Sequence, residues 1–274
     1  MKMAMNRIHK ELDWVGSREP FVDQPDIQVL DQIAVGRYGG NSSSGQYKNE
    51  DGCLVWQDGN HDWELAVILD AHMTAESAEI VIEQIKKWEP KFQHILTSSP
   101  SHTLFKYLEV SVLNMFQDQE FLSKCRSVQG ETACLIVVRK DKYLWWFSIG
   151  DCVLYMHHPD LTVLGQYQVN QRQFFEWVGQ VNTFELDVPC YSCGTKELRK
   201  GSNHIFMTTD GLIECPRDPY SHPSLIFREF NGESIEKALS SIFSNLQDMG
   251  VRDSTTIVTW KVEIEKEASI PSDV

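Results

Sequence analysis

Four aspartates stand at the ends of apolar segments that have the composition of buried strands. Asp70 closes the run AVILD, Asp151 closes LWWFSIGD, Asp210 closes IFMTTD, and Asp253 opens DSTTIVTW. A carboxylate at the edge of a core is unfavourable unless it is hydrogen-bonded, paired or bound to a metal. We therefore predict that these strand ends meet in one carboxylate cluster that holds a divalent cation.

The neighbouring acids Glu50 and Asp51 extend this set. Oxygen ligands without an accompanying His or Cys favour Mg²⁺ or Mn²⁺ over zinc. Two such ions could activate a bridging water for in-line attack on a phosphoryl group, whereas each carboxylate taken singly is explained by a turn. Asp58 is excluded from the set, because the Asp58-Gly59 pair is explained by a hairpin turn.

Composition restricts the possible partners and surroundings. The net charge of −14 argues against an extended nucleic-acid surface, which needs clustered Lys and Arg. The start, MKMAMNRIHKELDW, lacks a long apolar segment, and no stretch approaches the roughly 20 apolar residues that span a bilayer. We expect a cytoplasmic protein without nucleic-acid or membrane partners. The seven scattered cysteines predict reduced thiols, and we interpret the lone Cys190-x-x-Cys193 spacing as coincidental.

The period of the apolar pattern changes along the chain. Strand patterns cover 27–35, 53–57, 65–69, 132–138, 143–149, 153–157, 205–208 and 255–262. Helical spacing predicts helices over Ala75–Trp88, Thr103–Cys125 and Ser234–Met249. The three strands between 132 and 157 are typical of an antiparallel meander. Blocks of helices between blocks of strands favour α+β layers over a parallel sheet.

The same patterns suggest the domain organisation. We expect one domain over residues 27–262, an N-terminal extension over 1–26 and a polar tail over 263–274. Residues 158–202 mix Gln-rich and aromatic stretches with short apolar pieces, which suggests a flap or insertion.

In their order, six segments resemble the protein phosphatase 2C family, the metal-dependent serine/threonine phosphatases. The segments are KNEDG at 48–52, VILDAH at 67–72, GETA at 130–133, FSIGDCVLYM at 147–156, FMTTDGLIE at 206–214 and VRDSTTIVTW at 251–260. The resemblance implies a four-layer α-β-β-α sandwich, with two antiparallel sheets between helix layers. It also implies two Mg²⁺ or Mn²⁺ ions, with a third possible, and a phosphoprotein substrate.

The resemblance also implies roles for individual residues. Asp70 would bridge both ions, and the backbone carbonyl of Ala71 would bind the first. The side chains implied for the second ion are Glu50, Asp210 and Asp253. Asp151 falls where such proteins can hold a third ion, and Asp51 and Glu214 would orient metal-bound waters. His72 would be the general acid for the leaving alkoxide, a role that suits imidazole because it ordinarily titrates near neutral pH.

The chain departs from the family pattern at several positions. Where the family places an arginine that grips the substrate phosphate, this chain has Gln46, and Lys48 or Arg37 are candidates to replace it. The glycine that usually follows the bridging aspartate is Ala71, and the serine of the GSTA motif is Glu131. These differences indicate a divergent member.

Three functional hypotheses follow. The leading one is an active metal-dependent phosphatase that uses no covalent intermediate. The second is a regulatory or binding module on the same fold with weak or lost catalysis, motivated by Gln46. A phosphatase with an aspartyl nucleophile is disfavoured, because such sites commonly have a second acid two residues after the first, and here that residue is His72.

Overall fold

The computed structural model describes residues 10–268, in which twelve strands form two antiparallel sheets. The strands are β1 (Lys10–Val15), β2 (Asp26–Leu30), β3 (Ile33–Tyr38), β4 (Gly52–Asp58), β5 (Trp63–Ala71), β6 (Glu131–Lys140), β7 (Tyr143–Ile149), β8 (Val153–His157), β9 (Val178–Gly179), β10 (Ser192–Glu197), β11 (Gly201–Thr208) and β12 (Thr255–Ile264). The first sheet has the order β1-β4-β5-β6-β7-β10, with β9 paired to β6. The second has the order β2-β3-β12-β11-β8.

Helices cover the outer face of each sheet. They are α1 (Glu76–Lys87), α2 (Glu89–Leu96), α3 (His102–Phe116), α4 (Gln119–Cys125), α5 (Pro159–Thr162), α6 (Pro223–Glu229) and α7 (Ile235–Asp248). One apolar core lies between α1–α4 and the first sheet, a second between the two sheets, and a third between the second sheet and α6 and α7. The predicted α+β, four-layer α-β-β-α sandwich is confirmed.

Two of the predicted helices are confirmed closely. Helix α1 matches the prediction over Ala75–Trp88, and α7 matches Ser234–Met249. The Ser234 side chain accepts a hydrogen bond from the Lys237 N–H, and Gly250 adopts a φ of 65° just beyond the helix. A polar cap at the start and a left-handed glycine after the end are local signals, so the boundaries of α7 were predictable.

Two predicted elements each prove to be a pair. The segment 27–35 contains β2 and the start of β3, separated by a turn in which Asp31 adopts a φ of 54°. The segment Thr103–Cys125 contains α3 and α4, because the Asp118 side chain accepts a hydrogen bond from the Phe121 N–H and starts a new helix. Apolar spacing continues across both breaks, which explains why the pattern alone missed them.

The predicted meander is wrong at its third strand. Strands β6 and β7 pair in the first sheet, whereas β8 pairs with β11 in the second. The chain crosses between sheets at Gly150, whose φ of 84° favours glycine, and the next residue is Asp151. This aspartate therefore lies at a corner between sheets.

The domain boundaries also differ from the expectation where the structure describes them. Residues 10–15 form β1 on the edge of the first sheet, inside the domain and not in an extension. Residues 158–202 contribute β9 and β10 to that sheet. The remaining parts of the predicted extension and tail, 1–9 and 269–274, lie outside the described residues. None of the helices between residues 10 and 268 is long and apolar enough to cross a membrane, and all seven cysteines are free thiols.

Candidate metal centre

Strand alternation places Asp70 between the two sheets. On β5, Val67 and Leu69 belong to the core under the helices, whereas Ala66 and Ile68 belong to the core between the sheets. Successive side chains of a strand point to opposite faces, so Asp70 continues the inner series. The four residues before Asp70 in the run AVILD are all apolar because both faces of this strand are buried.

Asp51 is fully buried directly before β4 and binds hydroxyl groups from the second sheet. Its Oδ1 accepts a hydrogen bond from Ser254 Oγ at 2.8 Å, and its Oδ2 accepts from Thr256 Oγ1 at 2.7 Å and Thr209 Oγ1 at 3.2 Å. Burial, opposed by these hydrogen bonds and reinforced by neighbouring acids, raises the pKa of Asp51 to about 7. The carboxyl group therefore ties the end of β11 and the start of β12 to the first sheet.

Replacing Asp51 with alanine should weaken both the fold and metal binding. The change leaves buried hydroxyl groups without their acceptor, which costs about 1–3 kcal/mol for each group that stays unpaired. It also frees two segments that carry candidate ligands, so we expect Mn²⁺ affinity to fall about 10- to 100-fold. Urea unfolding and calorimetry with Mn²⁺ measure the two effects. Asp187→Ala, at an exposed aspartate, is the control, and equal behaviour of both variants would contradict the prediction.

Asp70 and Asp210 form the centre of the acid cluster. Burial, followed by the charges of Asp51, Asp210 and Asp253, raises the pKa of Asp70 well above its usual range. Burial and the charges of Asp253 and Asp151 raise the pKa of Asp210 to about 6. Asp70 Oδ2 is buried and has no hydrogen-bond partner.

A glycine allows the segments of Asp210 and Asp253 to approach each other. A Cβ on Gly211 would lie 2.1 Å from the backbone oxygen of Ser254, so only glycine fits this contact. Burial raises the pKa of Asp253, and the charges of Glu50 and Glu214 act in the same direction. The structure thus brings Asp253 close to acids from two other segments.

Glu50 lies at the edge of this cluster and pairs with a lysine. Its Oε1 forms an ion pair with Lys48 Nζ, which also donates a hydrogen bond to the backbone oxygen of Met73 at 2.6 Å. Glu50 is largely buried, whereas the Lys48 side chain is exposed. Lys48 therefore neutralises a candidate ligand and is already engaged by two partners.

His72 lies beside the cluster and directly follows Ala71, the last residue of β5. Its Nδ1 is 3.9 Å from Asp70 Oδ1, and its ring meets the Trp177 ring edge-on with centroids 4.9 Å apart. The side chain remains 44% exposed, so it can exchange protons with solvent. A Cβ on Gly130 would lie 2.0 Å from the His72 backbone oxygen, which explains the glycine of the GETA segment.

Arg172, from the predicted flap, joins two acids on the other side of the cluster. Its Nη2 lies 2.5 Å from Glu214 Oε1 and 3.4 Å from Asp151 Oδ2, and its Nε donates to the Asp151 backbone oxygen at 3.1 Å. Asp151 Oδ1 is buried and has no hydrogen-bond partner. Asp151, the acid predicted to hold a third metal ion, therefore has one oxygen beside a guanidinium and one without a partner.

A cleft of about 530 Å³ opens onto these residues. Its lining includes Gln46, Lys48, Glu50, Ala71, His72, Glu214, Arg252 and Asp253. Arg37, one of the two predicted replacements for the missing arginine, is not part of it. Its guanidinium is buried against Asp26 and the rings of Trp14 and Phe21. A second cavity of about 460 Å³, beside Trp145 and Cys193, is lined by one carboxylate and lies apart from the cluster.

The donor chemistry of the cluster fits a hard divalent cation. Within residues 10–268, no group of three or more His, Cys, Asp or Glu side chains is arranged to hold a metal ion. Mg²⁺ and related ions commonly bind proteins through one or two carboxylates and retain several waters, so such a group is not required. The buried, unpartnered Asp70 Oδ2 and the mutual repulsion of the acids are both relieved by a cation.

Solved structures of bacterial phosphatases share this architecture. A bacterial serine phosphatase superposes with a TM-score of 0.62 and 15% identity, covering 85% of this chain and 98% of its own. Serine/threonine phosphatase Stp1 from Staphylococcus aureus gives 0.58 and 13%, covering 88% and 94%. The catalytic domain of serine/threonine protein phosphatase PstP, in complex with two manganese ions, gives 0.56 and 14%, covering 93% and 99%.

The chain has the protein phosphatase 2C fold. No family model matches the sequence, and no curated protein is significantly similar to it. At identities of 13–15% the likeness establishes the fold alone. This result is consistent with the predicted divergent member of the family.

Several residues in and around the acid cluster were missed by the sequence analysis. The hydroxyl groups on Asp51 come from three Ser and Thr residues, whose roles no local pattern reveals. Arg172 lies in a stretch without clear periodicity, and Arg252 precedes a candidate ligand without any motif of its own. The only available signal was the position of Arg252 inside the segment VRDSTTIVTW.

Proposed function

We propose that this protein hydrolyses phosphoserine and phosphothreonine esters with a water activated by two Mg²⁺ or Mn²⁺ ions. The observation that carries the proposal is the convergence of Asp51, Asp70, Asp210 and Asp253 between the sheets, with raised pKa values. The fold agrees with it, because the similar structures are serine/threonine phosphatases, one of them with two manganese ions.

In this proposal the acids divide into ligands and supports. Asp70 would hold the ions, since its carboxyl group is central and one of its oxygens has no other partner. The Ala71 carbonyl and the carboxylates of Glu50, Asp210 and Asp253 would complete the protein ligands. Bound ions supply an activated water and neutralise charge on the phosphoryl oxygens.

The remaining residues handle protons and orientation. His72, exposed in the cleft and close to Asp70, protonates the leaving alkoxide. Asp51 holds the segments of Asp210 and Asp253 in place through its hydroxyl partners. A third ion at Asp151 stays a prediction, with Arg172 already beside one of its oxygens.

Phosphate release from phosphopeptides tests the proposal. We expect Mn²⁺-dependent turnover of phosphoserine and phosphothreonine peptides that a chelator abolishes, with a phosphotyrosine peptide as the comparison substrate. A substrate made chiral at phosphorus should release phosphate with inverted configuration, because a single direct attack by water on phosphorus inverts that centre. Retention of configuration, or a trapped aspartyl phosphate, would indicate a covalent intermediate. Mn²⁺ binding without turnover of any phosphopeptide would identify a binding module and refute the proposed hydrolysis.

A further inference from the structure

The cleft beside the acid cluster contains basic side chains as well as acids. Of the residues that line it, Lys48, His72 and Arg252 carry nitrogen groups that can bear positive charge. A phosphate monoester carries close to two negative charges at neutral pH, so it is repelled by carboxylates unless cations face it. The location of a free cation in the cleft therefore decides where a phosphate group can be held.

Two nearby cations are already committed to acids. Lys48 Nζ pairs with Glu50 and donates to the Met73 backbone oxygen. The Arg172 guanidinium is held by Glu214 at 2.5 Å and by Asp151 at 3.4 Å. Either side chain would have to break existing contacts before it could bind a phosphate group.

Arg252 differs from both of these residues. It is exposed, and between residues 10 and 268 no hydrogen bond or ion pair engages its guanidinium. Its backbone is fixed: a Cβ on Gly40 would lie 2.1 Å from the Arg252 backbone oxygen, and the Asn41 N–H donates to the Val251 oxygen at 2.8 Å. The backbone of Arg252 is thus held in place, while its guanidinium has no partner among the described residues.

The same contact places Arg252 beside Gln46. A Cβ on Gly40 would also lie 3.0 Å from Gln46 Cγ, so Arg252 and Gln46 both pack against the backbone of Gly40. Both side chains line the cleft together with Asp253 and His72. A cation on either residue would therefore face the same space.

We propose that Arg252 is the phosphate-binding residue of this cleft, donating two parallel N–H bonds to the oxygens of the substrate phosphate. Guanidinium suits this contact because its planar fork matches two phosphate oxygens. The inference rests on the proposed function for the identity of the substrate, whereas phosphate binding by Arg252 can be measured without turnover.

Arg252→Ala and Arg252→Lys test this assignment in the Mn²⁺-loaded protein. Calorimetry with inorganic phosphate should show about 10- to 100-fold weaker binding for Arg252→Ala, since a charge-assisted contact is lost. On a phosphopeptide, KM should rise by a similar factor while kcat changes less than about threefold. Arg252→Lys should recover part of the loss. Arg228→Ala, at an exposed arginine on α6, is the matched control.

Introducing Gln46→Arg into the Arg252→Ala protein gives a second, independent measurement. Because both positions face the same space, this change should restore phosphate binding to within about threefold of the original protein. Unchanged phosphate affinity in Arg252→Ala would overturn the assignment. A parallel loss of Mn²⁺ affinity would also overturn it, because Arg252 would then act through its neighbour Asp253. If the unaltered protein binds phosphate through Arg252 but hydrolyses no phosphopeptide, the proposed hydrolysis fails and this inference stands.

Discussion

Replacing Asp70 with asparagine is expected to reduce Mn²⁺-dependent phosphate release by about a thousandfold or more, the equivalent of about 4 kcal/mol in the activation barrier. Asp70 lies at the centre of the cluster, and its Oδ2 has no hydrogen-bond partner that could take the place of a bound cation. An amide in the same place carries no charge and offers a single oxygen to a metal. Asp210→Asn should produce a loss of similar size.

The same substitution should stabilise the protein in the absence of metal. Burial and three neighbouring carboxylates disfavour the charge of Asp70, so removing that charge relieves repulsion in the folded state. We expect the free energy of unfolding in a chelator to increase by about 1–3 kcal/mol at neutral pH. Urea denaturation in a chelator measures this gain in stability. The same measurement in Mn²⁺ should show that Asp70→Asn has lost the stabilisation that the metal gives to the original protein.

Asp58→Asn is the matched control for this experiment. Asp58 is also a buried aspartate, but its Oδ1 accepts hydrogen bonds from the Asn60 and His61 N–H groups in the hairpin turn. Asparagine keeps one oxygen for these two N–H groups and loses only the Oδ2 that meets His61 Nδ1 at 2.7 Å. Asp58 lies at the opposite end of β4 from Asp51, so activity should not change. Full activity in both Asp70→Asn and Asp210→Asn would remove the basis for a metal centre at this cluster.

Mn²⁺ should stabilise the fold strongly at neutral pH and weakly in mild acid. At a free concentration 100 times the dissociation constant, one bound ion adds about 2.7 kcal/mol to the free energy of unfolding. Protons compete with the ion for the Asp210 oxygens, because the pKa of Asp210 is raised to about 6. Asp51, which positions the ligand segments, also takes up a proton near neutral pH, because its pKa is raised to about 7. The stabilisation by Mn²⁺ should therefore fall as the pH decreases from 7 to 5.

The metal-free protein should show the opposite trend. In the unfolded chain these carboxyl groups titrate near 3.8, so above that pH the folded state holds protons that the unfolded state has released. The free energy of unfolding should then fall as the pH rises from 4 to 7, by roughly 1.4 kcal/mol per pH unit for each group in its window. Urea unfolding in a chelator and in Mn²⁺, over this pH range, measures both trends. Parallel pH curves in the two solutions would contradict the prediction.

The sequence by itself determined the local elements and the identity of the acids. Periods of 2 and 3.6 are short-range properties, so α1 and α7 were predicted nearly residue by residue, and the central part of β5 was predicted. The acids at the ends of buried segments were recognisable because a carboxylate in that position is unfavourable without a partner. The order of six segments along the chain was enough to predict the four-layer sandwich.

Only the tertiary structure decided how the strands pair and which side chains meet. The corner at Gly150 sends β8 into the second sheet, an outcome that depends on the available partner strand and not on the alternation within β8. Likewise, Asp51 meets hydroxyl groups more than 150 residues away in the chain, and Arg172 reaches Glu214 from the flap. Such contacts follow from packing of two sheets across a shared core, because hydrogen bonds and ion pairs act over a few ångströms in space at any separation in sequence.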